Sequence, residues 1–492
     1  MNTKDSHSLS WERVKAEFQR IWGYEDFRPP QGEIIRSLLS RQDALIVMPT
    51  GGGKSICFQL PALLQTGLTL VVSPLVALME NQVQELREKN LPAALLHSQM
   101  PSLQRRQTLR LLEQNRLRLL YLSPETLLSS SVWNLIAHPR ILVNGLILDE
   151  AHCLVQWGDT FRPAYRRLGT VRPAFLQLKP TQKNFAIAAF TATANPAAKE
   201  TIKTVLDLQN PKSFLLNPYR PNLNLNIQTV WTPRGRRQQL LKFIQTRQKQ
   251  TGLVYVITRK DSEELADSLK QQGYQTAAYH AGLSGEERRE IEQAWLKGSL
   301  KFVVCTSAFG MGINKPNVRW VLHFQAPFLL SEYLQEVGRA GRDGKPAIAL
   351  TLVSEPTGFL YPEDKQRREY LQENWQKQYQ QANQLIKKLP KQGNIEEISR
   401  QFPNSAIALS LLHSSGQLTW EYPFHYIINS KAVAFPDHNT QAIKQMTQYL
   451  NTRQCRWRFL LDAFGFNKEA ESMRCGHCDN CLKSTNTRSN LI

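Results

Sequence analysis

The segment Met48-Pro49-Thr50-Gly51-Gly52-Gly53-Lys54-Ser55 constrains this chain more than any other. It follows Ala44-Leu45-Ile46-Val47, an apolar run of the kind that forms a buried parallel strand. It leads into Ile56-Cys57-Phe58-Gln59-Leu60, which reads as the start of a helix. A strand, a glycine loop and a helix opening on Lys-Ser make a phosphate cradle. Glycines let backbone N–H groups approach phosphates closely, and the helix N-terminus adds favourable partial charge. In such a loop Thr50, Gly51, Gly52 and Gly53 line the phosphates, Lys54 reaches the terminal ones and the Ser55 hydroxyl ligates magnesium. The pattern departs from G-x-x-x-x-G-K-S at one place, because Met48 stands where the first glycine belongs. A chance glycine-rich turn would look similar, but the flanking strand and helix argue against it.

A phosphate loop needs a carboxylate partner. Gly145-Leu146-Ile147-Leu148 is another apolar strand, and it ends in Asp149-Glu150-Ala151-His152 about 95 residues after the loop. Asp149 at a strand's C-terminal end can hold the magnesium shell, and Glu150 beside it can activate the attacking water. An acidic helix N-terminus is the bland alternative. The placement favours a Walker B motif of the helicase type.

The residues that follow identify a family. Asp149-Glu150-Ala151-His152-Cys153-Leu154-Val155-Gln156-Trp157-Gly158 runs on to Phe161-Arg162-Pro163-Ala164-Tyr165, which resembles the aromatic-rich loop of RecQ DNA helicases. Trp22-Gly23-Tyr24, Phe27-Arg28 and Gln31 resemble that family's adenine-reading motif. Val71-Val72-Ser73-Pro74-Leu75, Tyr121-Leu122-Ser123-Pro124-Glu125 and Phe190-Thr191-Ala192-Thr193-Ala194 resemble its other first-lobe motifs. Tyr279-His280-Ala281-Gly282-Leu283, the run from Ala308 to Pro316, and the run from Gln335 to Gly344 resemble those of its second lobe. The resemblance covers 11–355 and resumes over 450–482.

The 492 residues are enough for about three domains. Lys and Arg total 61 against 41 Asp and Glu, a formal charge of +20, which favours a polyanionic partner. No apolar run approaches the roughly 18 residues that span a bilayer, and residues 1–10 lack a signal-peptide core. We therefore expect a cytoplasmic protein associated with the chromosome, and no membrane partner. The cysteines number seven; Cys57, Cys153 and Cys305 lie in apolar or motif segments and read as small buried hydrophobes.

Apolar strands alternate with amphipathic helices in two successive units, so we expect an α/β fold with two RecA-like parallel-sheet lobes. Strands are expected at 44–48, 69–73, 119–122, 145–149 and 186–191 in an ATP-binding lobe over 11–215. A second lobe over 216–355 carries strands at 252–257, 276–279, 301–305, 319–324 and 347–353. The turn-rich residues 217–223 read as the inter-lobe link. A polar helical linker is expected over 356–392 and a winged-helix-like insertion over 393–435. The chain then continues into a zinc-binding subdomain over 436–482 and a polar tail over 483–492. Trp420, Tyr422 and Phe424 sit near the insertion's hairpin, and an apolar residue at a hairpin tip can wedge a base pair. Only eleven residues follow Cys481. We therefore expect the family's usual strand-separating hairpin to be absent or to be replaced by residues 394–430, which would then bind duplex; the bland alternative is a structural insertion without DNA contact.

Cys475-Gly476-His477-Cys478-Asp479-Asn480-Cys481 contains two overlapping CxxC spacings, with Cys455 upstream. Four thiolates complete a tetrahedral structural zinc shell, and His477 is read as a bystander. The RecQ resemblance implies the same zinc subdomain.

The resemblance implies an ATP-dependent DNA helicase moving 3′ to 5′ on single-stranded and forked duplex DNA, in recombination, repair and replication. Tyr24, Arg28 and Gln31 would hold adenine. Asp149 and Ser55 would hold magnesium, and Glu150 would be the general base. Arg339 and Arg342, from the opposite lobe, would be arginine fingers beside Lys54. Ser73, Trp157, Phe161, Arg162 and His280 would contact DNA. Asp159-Thr160 replace the family's His-Asp within the aromatic loop, and Ala164 replaces an acid, which puts DNA dependence of the ATPase in question. The rival readings are an RNA helicase on the same lobes and a nucleic-acid-binding protein without unwinding.

Overall fold

The computed structural model describes residues 10–156, 162–180, 185–310, 313, 315–430 and 438–483. Trp157, Phe161 and the altered Asp159-Thr160 pair lie outside the described residues, as do Met311, Gly312 and Asn314. Two parallel sheets dominate, as the alternation of strands and helices implies.

The first sheet has seven strands in the order Ala93–Leu96, Leu119–Leu122, Leu68–Val72, Val143–Leu148, Ala186–Thr191, Ala44–Val47 and Lys212–Leu215. Ala44–Val47 and Val143–Leu148 are buried along their whole length, which is why they read as unbroken apolar runs. Val143–Leu148, Ala186–Thr191 and Ala44–Val47 are consecutive neighbours, in register through Ala188 with Ile147 on one side and Ala44 on the other. Their C-terminal ends therefore deliver Asp149, Thr193 and the glycine loop to one edge of the sheet.

The second sheet has six parallel strands in the order Ala278–Tyr279, Phe302–Cys305, Thr251–Tyr255, Val318–His323, Ala347–Ser354 and Leu223–Val230. Three strands escaped the sequence reading. Ala93–Leu96 has no β-branched residue to mark it, and Lys212–Leu215 is a short edge strand exposed at three of its four positions. Leu223–Val230 begins at the last residue read as inter-lobe link and alternates buried with partly exposed positions, as an edge strand does.

After the second sheet comes one helix of 24 residues, Glu363–Ile386, of which only Asp364, Ala382 and Ile386 are buried. Its first turn is fastened to the second lobe by a bidentate bond from Arg236 to Asp364, at 3.0 and 2.7 Å. Its far end enters the apolar core of the first lobe. Next come the strand Gln392–Asn394, the helices Ile395–Gln401 and Ser405–Ser414, and the hairpin Leu418–Tyr422 with His425–Ile428. The helix-turn-helix and hairpin rhythm is present, but the expected duplex-wedging role is corrected. The tip points into protein. Tyr422 and Phe424 pack edge-on against Trp133 of the first lobe at 6.1 and 5.9 Å, and Arg167 donates to the Pro423 carbonyl at 2.9 Å. The second helix, which a DNA-reading module would lay in a groove, buries Ala408, Leu409, Leu411 and Leu412 in the same core. Apolar burial decides this. A helix reading Ser-Ala-Ile-Ala-Leu-Ser-Leu-Leu gains far more from a core than from a phosphate backbone.

The C-terminal helices His438–Asn451, Arg456–Ala463 and Asn467–Glu471 take the opposite side. Tyr449, Trp457, Leu460 and Phe464 join the second lobe's core, and Trp457 Nε1 donates to the Leu223 carbonyl at 3.2 Å. Among the described residues no helix is long and apolar enough to cross a membrane.

Candidate functional site

The glycine loop meets the second lobe across a cleft. Gly53 adopts φ 79° at the N-terminus of helix Lys54–Leu64. That left-handed φ favours glycine, and a Cβ there would lie 2.3 Å from Gln31 Nε2, which would have to move. Gln31 Nε2 donates to the Gly52 carbonyl at 3.1 Å, and Gln31 Oε1 accepts from Arg28 N at 3.0 Å. Gln31 thus ties the adenine-side segment to the phosphate loop. Tyr24 is 52 % exposed, with its ring 5.8 Å from that of Phe18. Met48 is buried under the loop, and Gly52 packs on its side chain, so a larger residue in place of the first glycine is accommodated beneath the turn. Lys54 Nζ donates to the Met48 carbonyl at 3.2 Å.

Asp149 and Glu150 stand side by side at the end of Val143–Leu148. Asp149 Oδ1 accepts from Glu150 N at 3.0 Å, and Oδ2 accepts from Gln82 Nε2 at 3.3 Å. Burial, with Glu150 adjoining, pushes the Asp149 pKa up to about 6. Burial also opposes ionisation of Glu150, but Lys54, His152 and Arg339 outweigh it and hold its pKa down to about 2. A cation beside Asp149 would relieve its burial penalty, so the carboxylate pair fits a divalent ion. Glu150 holds φ 51°, a left-handed conformation uncommon outside glycine and concentrated at functional sites. His152 lies 3.2 Å from the Glu150 carboxylate. Burial lowers its pKa, but the Cys153 sulfur and Glu150 outweigh this and raise it to about 10.

The second lobe closes on this edge through the turn after helix Leu330–Val337. Gln335 Nε2 lies 3.2 Å from His152 Nε2 and 3.0 Å from Thr193 Oγ1. Thr50 Oγ1 donates to the Gly338 carbonyl at 3.3 Å. The Arg342 side chain covers Gly51, where an added Cβ would lie 3.4 Å from Arg342 Cδ. Burial, with Arg339 and Arg220 near, lowers the Arg342 pKa to about 10. Arg339 is buried, and its guanidinium donates to the Gly310 carbonyl. Arg342 therefore reaches the phosphate loop, whereas Arg339 is held within its own lobe and is felt across the cleft as a positive charge by Glu150.

Sequence reasoning missed the residues that hold this turn. Arg220 donates to the carbonyls of Gly338, at 3.0 Å, and Gly341. Asn222 Nδ2 donates to the carbonyls of Gly341 and Lys345, both at 2.8 Å. The inter-lobe link therefore braces the backbone that carries Arg339 and Arg342. No local pattern marks this role, because its partners lie more than a hundred residues away.

The expected DNA contacts are placed less openly. Ser73 is buried. His280 is buried too, with Nε2 2.8 Å from Glu263 Oε1 and Nδ1 accepting from Gly282 N at 3.1 Å. In this conformation both ring nitrogens serve the protein, so His280 shapes its loop instead of facing a strand. Arg162 pairs with Glu125 at 2.9 Å.

At the other pole, the sulfurs of Cys455, Cys475, Cys478 and Cys481 all lie within 4.8 Å of one another. Backbone N–H groups of Cys475 and Cys478 donate to the sulfurs of Cys455 and Cys475, both at 3.3 Å, which favours thiolates. His477 turns away, its Nε2 3.4 Å from the Tyr219 hydroxyl. Four convergent thiols with donated backbone bonds fit a tetrahedral zinc ion. Arg456 pairs with Asp479 at 2.9 Å, tying the first and last parts of the cluster together.

Comparison with known proteins agrees with this geometry. Residues 28–201 match the DEAD/DEAH box helicase family, 235–344 the helicase conserved C-terminal domain, and 424–482 the RecQ zinc-binding domain. The chain is 52 % identical over 474 residues to an ATP-dependent DNA helicase RecQ from Synechocystis, covering 96 % of this chain and 98 % of that protein. It is 32 % identical over 480 residues to RecQ of Bacillus subtilis, covering 97 % and 68 %. Among solved structures, Mss116p bound to ssRNA and AMP-PNP shares the fold at TM-score 0.59 and 19 % identity, over 73 % of this chain and 77 % of that one. Mycobacterium smegmatis Lhr bound to ssDNA and AMP-PNP does so at 0.56 and 19 %, over 88 % and 61 %. With its phosphate loop, paired carboxylates and four-thiol cluster in place, the chain belongs to the RecQ family of ATP-dependent DNA helicases.

Proposed function

We propose that this chain unwinds DNA with 3′-to-5′ polarity, driven by ATP hydrolysis in the cleft between its lobes, in recombination, repair and replication. The facing of Gly51 by Arg342 and of His152 by Gln335 carries this reading, because one set of contacts links nucleotide to both lobes. Tyr24 stacks on adenine, with Arg28 and Gln31 at the base's edge. The amides of Thr50 to Ser55 and the Lys54 ammonium hold the phosphates. Magnesium, when bound by Ser55 and Asp149, supplies positive charge to those phosphates. Glu150 orients the attacking water and takes its proton; a carboxylate held ionised is suited to that. Arg339 and Arg342 stabilise charge that develops in the transition state. Because the arginines and Lys54 sit on different lobes, lobe closure completes the site, and each turnover is coupled to a step along single-stranded DNA. Trp157, Phe161 and Arg162 contact that strand, with Ser73 and His280 shaping its track.

Hydrolysis and unwinding measured on 3′-tailed, 5′-tailed, forked and RNA substrates test the reading. We expect DNA-stimulated hydrolysis and unwinding of 3′-tailed and forked DNA. Stimulation by RNA alone would overturn the DNA assignment. Lys54→Ala should lose hydrolysis and keep single-strand binding, and wild-type turnover in that variant would remove the phosphate-loop assignment.

A further inference from the structure

The hairpin expected to meet DNA is docked inside the protein, but another surface exposes large apolar side chains. In the second sheet all strands are parallel, so their C-terminal ends share one edge. At one end of that edge the strand ends Val230 and Ser354 are paired. Trp231 follows the first, and the loop 355–362 follows the second. The loop is rigid. Glu355 is buried and accepts from Thr357 N at 2.7 Å, from Leu360 N at 2.9 Å and from the Thr357 hydroxyl. Its far end is pinned by the Arg236–Asp364 pair, with the Arg236 guanidinium 4.8 Å from the Tyr361 ring. Held this way, the loop presents Phe359 at 87 % exposure and Leu360 at 61 %, and Trp231, which follows the strand end paired with the loop's own strand, is 57 % exposed.

A buried network that fixes two large apolar side chains in water has no folding rationale. The surrounding charge indicates the occupant. Arg234, Arg237 and Lys365 are exposed on the two segments. Three of the nearby carboxylates are already engaged: Glu355 within its loop, Glu363 with Arg367 at 2.8 Å, and Asp364 with Arg236. Exposed rings interleaved with cations match the chemistry of stacked bases and phosphates, not that of an apolar peptide. The sheet's six strands span about 24 Å from here to the His280 loop, a distance that several nucleotides of extended strand cover.

We propose that Trp231, Phe359 and Leu360 form a stacking platform for unpaired bases of a DNA strand, with Arg234, Arg237 and Lys365 on its phosphates. This site deepens the helicase reading and rests on it. The test uses the full chain without nucleotide and a fluorescein-labelled oligothymidylate, read by anisotropy. The double variant Trp231→Ala with Phe359→Ala should bind at least about tenfold more weakly. Phe359→Trp should bind like wild type, and thermal midpoints should not move because the side chains are exposed. An oligonucleotide carrying 5-iododeoxyuridine should cross-link to a peptide containing Trp231 or Phe359. Equal affinity of the double variant and wild type would overturn the platform alone. So would a double variant whose only change is lost self-association in sedimentation, since the patch would then dock protein. A wild-type chain that binds no DNA would overturn the helicase reading itself.

Discussion

The two small modules that follow the second sheet are neighbours in sequence and part company in space. Residues 392–428 put Trp420, Phe424, Leu409 and Leu412 into the first lobe's core. The zinc-binding helices put Trp457, Leu460 and Tyr449 into the second lobe's core. Each module is thus an extension of a different lobe. The helix Glu363–Ile386 crosses between them, anchored by salt bridges at one end and apolar packing at the other. This polar helix therefore connects the two lobes with only three of its residues buried. The modules also differ in what holds them. Both share apolar surface with a lobe, and the second also gathers four thiols at one point.

Metal removal should separate the two most sharply. Structural zinc sites contribute on the order of 10 kcal/mol to folding of their domains. Stripping the ion with a chelator should release helices 438–471 and loosen the second lobe, while protease resistance of residues 392–428 persists. Elemental analysis should give one zinc per chain before treatment, and a metal-free chain of normal thermal stability would refute the cluster's role.

Phe424→Ala addresses the opposite module. It removes a buried ring packed on Trp133 and should cost about 3 kcal/mol. Denaturant unfolding should detect that loss, with accelerated cleavage within 392–428 and zinc content unchanged. Outright deletion of residues 394–430 is a poorer probe, because it would expose the first lobe's apolar face as well.

Arg220→Ala tests whether the link between the lobes does chemical work. Its bonds to the Gly338 and Gly341 carbonyls place the Arg339 turn. Losing them should lower kcat for ATP hydrolysis by up to about a hundredfold, with KM little changed. The same change in an Arg339→Ala background should add nothing. A full additional loss there would assign Arg220 a separate role.

The smallest effect should come from Glu396→Gln. Its carboxylate accepts from Ser130 N at 3.1 Å and from the Ser130 hydroxyl, capping helix Ser130–Ile136 from another module. Removing the charge should cost about 1 kcal/mol, visible in unfolding midpoints and not in turnover.

Much of the site was legible because its chemistry is written in short spacings. The loop from Thr50 to Ser55, the pair Asp149-Glu150 and the Cys475–Cys481 run each place their groups through local backbone geometry. Gln82 was not legible, since its bond to Asp149 joins residues 67 apart and an amide on a helix face carries no signature. The hairpin's role was misread for a related reason. Aromatic residues near a turn look alike whether they meet a base pair or a tryptophan of another lobe, and only the packing of Phe424 on Trp133 separates the cases.

What the sequence determined by itself was therefore the alternation that builds two parallel sheets, the nucleotide cradle and the thiol cluster. Each depends on periodicity or on groups a few residues apart, which the chain encodes locally. What tertiary structure decided was which surfaces meet. Gln335 finds His152 across 183 residues, Arg220 finds Gly338 across 118, and Glu396 finds Ser130 across 266. Those pairings follow from where apolar area is buried most completely, a property of the whole assembled core that no window of sequence contains.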